Sequence, residues 1–186
     1  GLSAESPTQL RIRYGRPFEL FVSLAYAPGI PVYDPWFVEH WQSPIYFLGG
    51  DARFTFIFSK KNYGFFGIES MFSAQRLYGG DEDSDIVTDL LSAGLGFVYK
   101  YRFLKNVSVI TRVHPGVCLS YLKFMYGDIS GNETASANVS LSADLGFQYH
   151  FDERSAVEIG ASLMNVFYDK TVFGMLRPRI ALVFYF

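Results

Sequence analysis

The chain has 186 residues, of which 49 % are hydrophobic and 18 % aromatic, and its formal net charge is −2. This length suits one compact domain, so we expect a single domain over residues 1–186. The near-neutral charge gives no reason to expect nucleic acid as a partner, and no basic block or phosphate-binding loop is present. No run of about 18 apolar residues offers a membrane-spanning helix, so the apolar residues must be organised in another way.

Strand patterns dominate the chain, because aromatic and β-branched residues alternate with small or polar ones. In the clearest segment, from Ala137 to Phe151, every second residue is apolar and the residues between are mostly polar. A period of two places these sets on opposite faces of a sheet. In chain order, the predicted strands cover residues 18–26, 46–58, 66–75, 91–101, 107–121, 137–151, 157–168 and 176–186.

The connections alternate in length. Short turns are predicted at residues 59–62, 104–106 and 152–155, and longer loops at residues 28–42, 79–88 and 122–134, with a brief loop at 169–173. Tight turns at one end and loops at the other are typical of barrels with short periplasmic turns and longer extracellular loops. The sequence therefore predicts an all-β fold: a transmembrane antiparallel up-and-down β-barrel of about eight strands.

The start of the chain is open to two interpretations. Leu10, Ile12 and Tyr14 share the parity of the first strand, so either that strand extends further or a separate periplasmic segment covers residues 1–16. Gly15 and Pro17 favour a break. The first residues lack the charged and apolar regions of a signal peptide, which fits a cytosolic protein or an exported one already processed.

The second face of the strands distinguishes a membrane barrel from a soluble barrel or sandwich, in which the apolar residues would point inward. This face is rich in Gly, Ala and Ser, which fit a narrow lumen. Each charged side chain inside a closed lumen needs a partner of opposite charge. The predicted registers provide two such pairs across neighbouring strands, with Arg53 opposite Glu69 and Arg112 opposite Asp144. The predicted lumen charge network comprises Glu19, Asp51, Arg53, Glu69, Lys100, Arg112, Asp144, Glu158, Arg177 and Arg179.

The last ten residues, from Arg177 to Phe186, alternate in hydrophobicity and end on Phe. This ending resembles the last strand of bacterial outer-membrane proteins, and the eight strands are similar in number to the OmpA transmembrane domain, OmpX and OmpW types. The resemblance implies an outer-membrane location after removal of a signal peptide. It also implies membrane lipids as partners and Phe184 and Phe186 as a signal read by the barrel-assembly machinery.

Three functions remain open. A charged, packed lumen resembles the OmpA and OmpX type and favours a non-enzymatic barrel for envelope integrity or external contacts. An OmpW-like narrow channel for small hydrophobic solutes is the alternative, because several apolar residues also point inward on this pattern: Phe21, Phe47, Ile57, Phe65, Met71, Ile110, Met164 and Val183. A lipid A hydrolase or acyltransferase is the third, because the register brings His114, Ser142 and Asp144 together and nucleophilic hydrolysis needs these three groups.

Loop and lumen residues outside these networks have simpler interpretations. The first loop holds Trp36, Phe37 and Trp41, which can bind an external ligand or host factor, fold over the barrel mouth or rest against lipid headgroups. His150 is predicted to pair with Glu158 across a tight turn. Cys118, the one cysteine of the chain, is predicted to be a small inward filler. The three histidines lack metal-ligand spacing, so we expect no metal and no cofactor.

Overall fold

The computed structural model describes residues 18–33, 48–61, 64–80, 84–126 and 129–186. Within these residues, no helix is long and apolar enough to cross a bilayer. The described segments form nine strands: β1 (Glu19–Tyr26), β2 (Ile30–Tyr33), β3 (Leu48–Lys61), β4 (Gly64–Gly80), β5 (Ser84–Leu104), β6 (Val107–Tyr126), β7 (Ile129–His150), β8 (Ser155–Phe167) and β9 (Val172–Tyr185).

Eight of these strands close into an antiparallel ring in the order β1, β3, β4, β5, β6, β7, β8, β9, and β9 pairs back with β1. The short strand β2 continues the wall beyond β1. Tyr26 of β1 pairs with Ile180 and Ile30 of β2 pairs with Leu176, so β2 starts in the register of β1 on β9, and the register shifts between Pro31 and Tyr33. The predicted eight-stranded up-and-down barrel is confirmed. The prediction of a loop from residue 28 was wrong for residues 30–33, because Pro28 lacks an N–H and interrupts the ladder without ending the strand.

The strands at the loop end are longer than predicted. β4 runs to Gly80, β5 starts at Ser84, β6 runs to Tyr126 and β7 starts at Ile129, so most of the predicted loops at residues 79–88 and 122–134 are strand. Backbone pairing continues there, but the polarity contrast that marks a strand inside a membrane is lost. The short connections are confirmed, since β5 and β6 are joined by a tight turn after Leu104.

The apolar side chains cover the outside of the ring. Leu145 is 52 % exposed, Leu182 56 % and Phe97 72 %, whereas the inward Arg53 is fully buried. A soluble barrel would show the reverse, because its apolar residues would form the core. Aromatic side chains lie on the outer wall near the short-turn end, where the ring centroids of Phe66 and Tyr99 are 4.7 Å apart. This is the lipid-facing surface of a transmembrane barrel, with an aromatic girdle at one boundary.

One of the two predicted cross-strand registers is confirmed. Arg112 pairs with Asp144 in the β6–β7 ladder. Arg53 pairs with Met71 rather than with Glu69, so that prediction was wrong by two residues. The reason is that the β3–β4 ladder continues to the pair Lys61–Gly64 and shifts its register between Ile57 and Ser59, so its centre lies beyond Lys61.

Candidate functional site: the barrel lumen

The centre of the lumen holds a layer of ionisable side chains contributed by six strands. These side chains are 0–2 % exposed, so they are buried in the interior of the barrel. We call the set the charged layer: Asp51 and Arg53 on β3, Glu69 on β4, Arg112 and His114 on β6, Asp144 on β7, Glu158 on β8, and Arg177 and Arg179 on β9.

Arg112 joins strands on opposite sides of the lumen. Its Nη1 and Nη2 atoms donate to Glu158 at 2.6 and 2.8 Å, a bidentate arrangement, while its Nε lies 3.1 Å from Glu69 Oε2. Gln148 donates to the same Glu158 carboxylate at 2.7 Å. Bidentate guanidinium–carboxylate pairs are among the stronger hydrogen-bonded contacts in proteins. This group of residues therefore ties β4, β6, β7 and β8 together through the interior.

Arg53 occupies the middle of the layer. It donates to Asp51 on its own strand at 3.0 and 3.1 Å and to Asp144 on β7 at 2.7 Å. Its Nη1 atom lies 3.5 Å from Glu69 Oε1, so the pair predicted by register is made diagonally. Thr55, which does face Glu69, donates to that carboxylate.

The arginines of β9 extend the network to the seam where the ring closes. Arg177 donates to Asp51 at 2.9 Å, and Arg179 contacts both Asp51 and Glu158. Arg179 Nη2 also donates to the hydroxyl of Ser23 on β1 at 2.9 Å. The polar contacts of the lumen therefore cross the β1–β9 seam as well as the consecutive hairpins.

The charged layer is balanced. Apart from His114, it consists of the arginines at 53, 112, 177 and 179 and the carboxylates at 51, 69, 144 and 158. Moving an ion from water to a low-dielectric interior costs several kcal/mol, and its partners offset that cost only when the contacts are close and complete. Removing one member therefore leaves an opposite charge without enough partners in a place that water does not reach.

The structure brings His114, Ser142 and Asp144 together, as the register predicts, but not as a catalytic triad. His114 Nε2 lies 3.0 Å from Glu69 Oε1, and its Nδ1 lies 3.5 Å from Asp144 Oδ2. Ser142 donates to Asp144 at 3.1 Å and lies 2.9 Å from the hydroxyl of Ser162. A nucleophilic serine needs an imidazole nitrogen to accept its proton. Here both ring nitrogens face carboxylates, so the arrangement is one of hydrogen-bonded packing.

Apolar side chains fill the lumen on both sides of the charged layer. Each set is buried and packed as one cluster. The loop-end apolar layer consists of Leu77, Leu90, Cys118, Met164, Val166, Phe173 and Met175, with Tyr168 against it. The short-turn apolar layer consists of Phe21, Ile57, Phe65, Val98, Ile110, Ala156 and Val183, with Tyr185 against it.

The short-turn end also carries a polar group of its own. Lys100 Nζ lies 3.3 Å from Glu19 and donates to the Tyr185 hydroxyl at 2.9 Å, and that hydroxyl donates to Gln148. The ammonium sits 4.7 Å from the centre of the Tyr185 ring, within cation–π range. Lys100 and Glu19, predicted as part of one lumen network, therefore lie nearer the short-turn end and reach the charged layer through Tyr185 and Gln148.

Sequence reasoning missed part of the lumen. The pattern places Phe173 in the predicted loop and Met175 before the predicted last strand, although both share the parity of Arg177 and Arg179 and line the lumen. The predicted pairing of His150 with Glu158 was wrong, because Glu158 faces Gln148 and His150 faces Ala156. Cys118 is buried as predicted. Trp36, Phe37, Trp41, Phe47 and residues 1–16 lie outside the described residues.

The predicted assembly residues lie at the free end of β9. Phe184 and Phe186 face outward and are 43 % and 67 % exposed. The Phe186 N–H donates to the carbonyl of Leu20 on β1 at 3.0 Å, so the last residue also belongs to the closed seam.

Comparison with known proteins identifies similar solved structures but no match among family models or curated sequences. No protein-family model and no curated protein matches the chain. The structure of Ail, the attachment invasion locus protein of Yersinia pestis, in complex with the heparin analogue sucrose octasulfate, matches with 18 % identity and a TM-score of 0.52, covering 91 % of this chain and 97 % of Ail. A major outer-membrane protein from Thermus thermophilus matches with 11 % identity and a TM-score of 0.52, covering 92 % of this chain and 100 % of its own. The chain therefore has the fold of the small eight-stranded outer-membrane β-barrels.

Proposed function

We propose that the chain is a non-enzymatic integral protein of the bacterial outer membrane that strengthens the envelope and presents its loop end to the exterior. The observation that carries this proposal is the charged layer, buried between two apolar layers. A water-filled channel would leave the side chains that line it exposed, whereas Arg53, Lys100 and Arg177 are each 0 % exposed.

Single-channel recording in a planar bilayer tests the packed lumen. The purified barrel is expected to insert without sustained discrete current steps, because no hydrated path crosses the charged layer. A wide porin incorporated into the same bilayers serves as the control for detectable current. Reproducible steps from the wild-type chain would contradict the proposal.

A conduit for small hydrophobic solutes, as in the OmpW-like type, is the second candidate. It is favoured by the loop-end apolar layer, where Met164 and Met175 are flexible side chains, and by the interruption of the strand ladder on β9 at residues 27–29 beside it. A cavity need not be hydrated to pass an apolar solute, so the absence of current does not decide this question.

Uptake of a small fluorescent hydrocarbon into proteoliposomes separates the two candidates. Substitution Met175→Trp enlarges an inward side chain of the loop-end apolar layer, whereas Leu176→Trp enlarges its outward neighbour, which is 40 % exposed. Equal uptake with and without protein favours the packed barrel. Uptake that depends on the wild-type chain and is lost only in Met175→Trp favours the conduit.

The loop end offers a surface for external contacts. The pairing of β7 with β8 begins at Val139 and Phe167, so residues 129–138 of β7 pair with β6 alone among the described strands. An open strand edge can accept an extended segment of another protein. The solved complex of Ail with a heparin analogue supports the more general proposal of an external ligand.

Shortening the β6–β7 hairpin tests this surface. Tyr121 pairs with Ala135, so residues 122–134 can be replaced by an Asn-Gly turn that keeps the register. Cells that carry the shortened chain are expected to adhere less to host cells or matrix than cells with the full chain, while the folded barrel still shows heat-modifiable gel mobility. Unchanged adhesion would remove this hairpin from the contact surface.

Catalysis on lipid A is the third candidate, and the hydrogen bonding of Ser142 argues against it. Substitution Ser142→Ala is expected to leave the lipid A of producing cells unchanged relative to the wild-type chain and to a deletion strain. A lipid A species that is present with wild type and absent with Ser142→Ala would support the enzyme.

A further inference from the structure

The outer wall of the barrel changes character along β3, β4, β5 and β6 towards the loop end. The ladder pairings place outward residues in successive rows across these strands. The first row is Ala52, Phe72, Ala93 and Val117; the second is Gly50, Ala74, Leu91 and Leu119; the third is Leu48, Arg76, Asp89 and Tyr121. Two apolar rows are therefore followed by a row with charge.

A groove runs over these rows because small residues alternate with large ones. Gly50, Ala52, Ala74 and Ala93 form its floor, and the depression has a volume of about 720 Å³. A second depression of about 660 Å³ shares Gly50, Ala74 and Leu91 with the first and reaches Arg76, Asp89 and Tyr121. The two form one continuous groove, and the volume of each depression lies in the range of roughly 300–1,000 Å³ seen for ligand sites.

An ion pair closes the loop end of the groove. Arg76 Nε and Nη2 donate to the two Asp89 oxygens at 2.6 and 2.7 Å, and the Arg76 side chain is still 50 % exposed. Exposed pairs of this kind contribute little stability, so the guanidinium can share a second anion at low cost. Lys123, two residues beyond Tyr121 on the same face of β6, adds another cation.

We infer that this groove binds one molecule of lipid A, with an acyl chain on the floor and a phosphate on Arg76. The inference rests on the proposed outer-membrane location, in which the loop end faces the leaflet that carries lipid A. A groove on a lipid-facing wall must be filled by lipid or lose contacts along its whole lining. Arginine binds phosphate through the same planar donor geometry that holds Asp89 here.

Native mass spectrometry of the barrel released from phosphatidylcholine nanodiscs that contain bisphosphorylated lipid A tests the inference. Substitution Ala74→Phe fills the floor and Arg76→Gln removes the charge. Each has a matched control: Ala161→Phe on the outward face of β8, across the ring, and Arg154→Gln in an exposed short turn. Wild type is expected to retain one lipid A molecule, and each groove variant to retain it roughly three- to fivefold less often.

The possible results distinguish a failure of the lipid A inference from a failure of the proposed membrane barrel. Equal retention by all variants, an equal loss in Ala161→Phe, or equal retention of lipid A without phosphates would overturn the inference. A two-chain mass that Ala74→Phe abolishes would also overturn it, because the groove would then be an interface between copies. The proposed membrane barrel is tested separately by gel mobility, which does not depend on lipid retention. A wild-type chain without heat-modifiable mobility would contradict the proposed membrane barrel.

Discussion

Glu158 is a carboxylate whose removal should cost the barrel several kcal/mol. It accepts hydrogen bonds from Arg112 at 2.6 and 2.8 Å and from Gln148 at 2.7 Å, and it contacts Arg179. Substitution Glu158→Ala leaves two arginines short of a partner in a layer that is otherwise balanced. Removing one partner of a buried ion pair costs about 3–5 kcal/mol, which is a loss of roughly two to three and a half powers of ten in the folded-to-unfolded ratio.

Reversible urea unfolding in lipid vesicles, followed by heat-modifiable gel mobility, measures this loss. Glu153→Ala, in the exposed turn between β7 and β8, is the control and should change the free energy of unfolding by less than about 0.5 kcal/mol. The double substitution Glu158→Gln with Arg179→Gln restores the charge balance, so its cost should be less than the sum of the two single costs. A Glu158→Ala chain within about 1 kcal/mol of wild type would refute the view that the stability of the barrel depends on the charge balance of this layer.

Three further substitutions test other parts of the structure. Hydrogen bonds from the Ser155 hydroxyl and from backbone N–H groups hold the pKa of Asp152 below its usual value. Its contribution is present above the unfolded-state pKa and is lost as the pH falls through the lower folded-state pKa, so Asp152→Asn should reduce the urea midpoint at pH 7 and converge with wild type well below about pH 4. Leu145→Arg, on the lipid face at the height of the charged layer, should cost about 2–4 kcal/mol in vesicles, and an unchanged midpoint would contradict its outward placement. Phe186→Ala should reduce the folded barrel recovered from outer membranes more than the yield of refolding in vitro, and an equal reduction in both would make Phe186 a purely structural residue.

The strands inside the membrane were predictable from sequence because lipid on one side and a packed lumen on the other force opposite polarity on alternate residues. Leu141, Leu145 and Leu182 were placed correctly for this reason. Towards the loop end that constraint disappears, and the sequence pattern does not predict the extension of β7 from Ile129 to Ser136. β2 was not predicted for a different reason: Pro28 and Pro31 ordinarily indicate a loop.

The sequence predicts which residues face the lumen better than it predicts which side chains contact one another there. Register fixes which backbone positions face each other, but a guanidinium reaches beyond its neighbour. Arg112 faces Asp144 and yet bonds to Glu158 and Glu69, while Asp144 accepts from Arg53. In a lumen this narrow, the guanidinium of each arginine can reach carboxylates on several strands. Side-chain packing then determines which carboxylate it contacts.

The seam between the first and last wall strands gives the barrel a direction of mechanical weakness. β1 and β9 pair over Phe21–Tyr26, and the ladder is then interrupted at residues 27–29 before β2 resumes it. Both strands have their outer ends at the short-turn end of the barrel, so a force applied to those ends loads the hydrogen bonds of the seam one at a time. The consecutive hairpins, by contrast, share such a load along longer ladders, and the wall should therefore part first where its two ends meet.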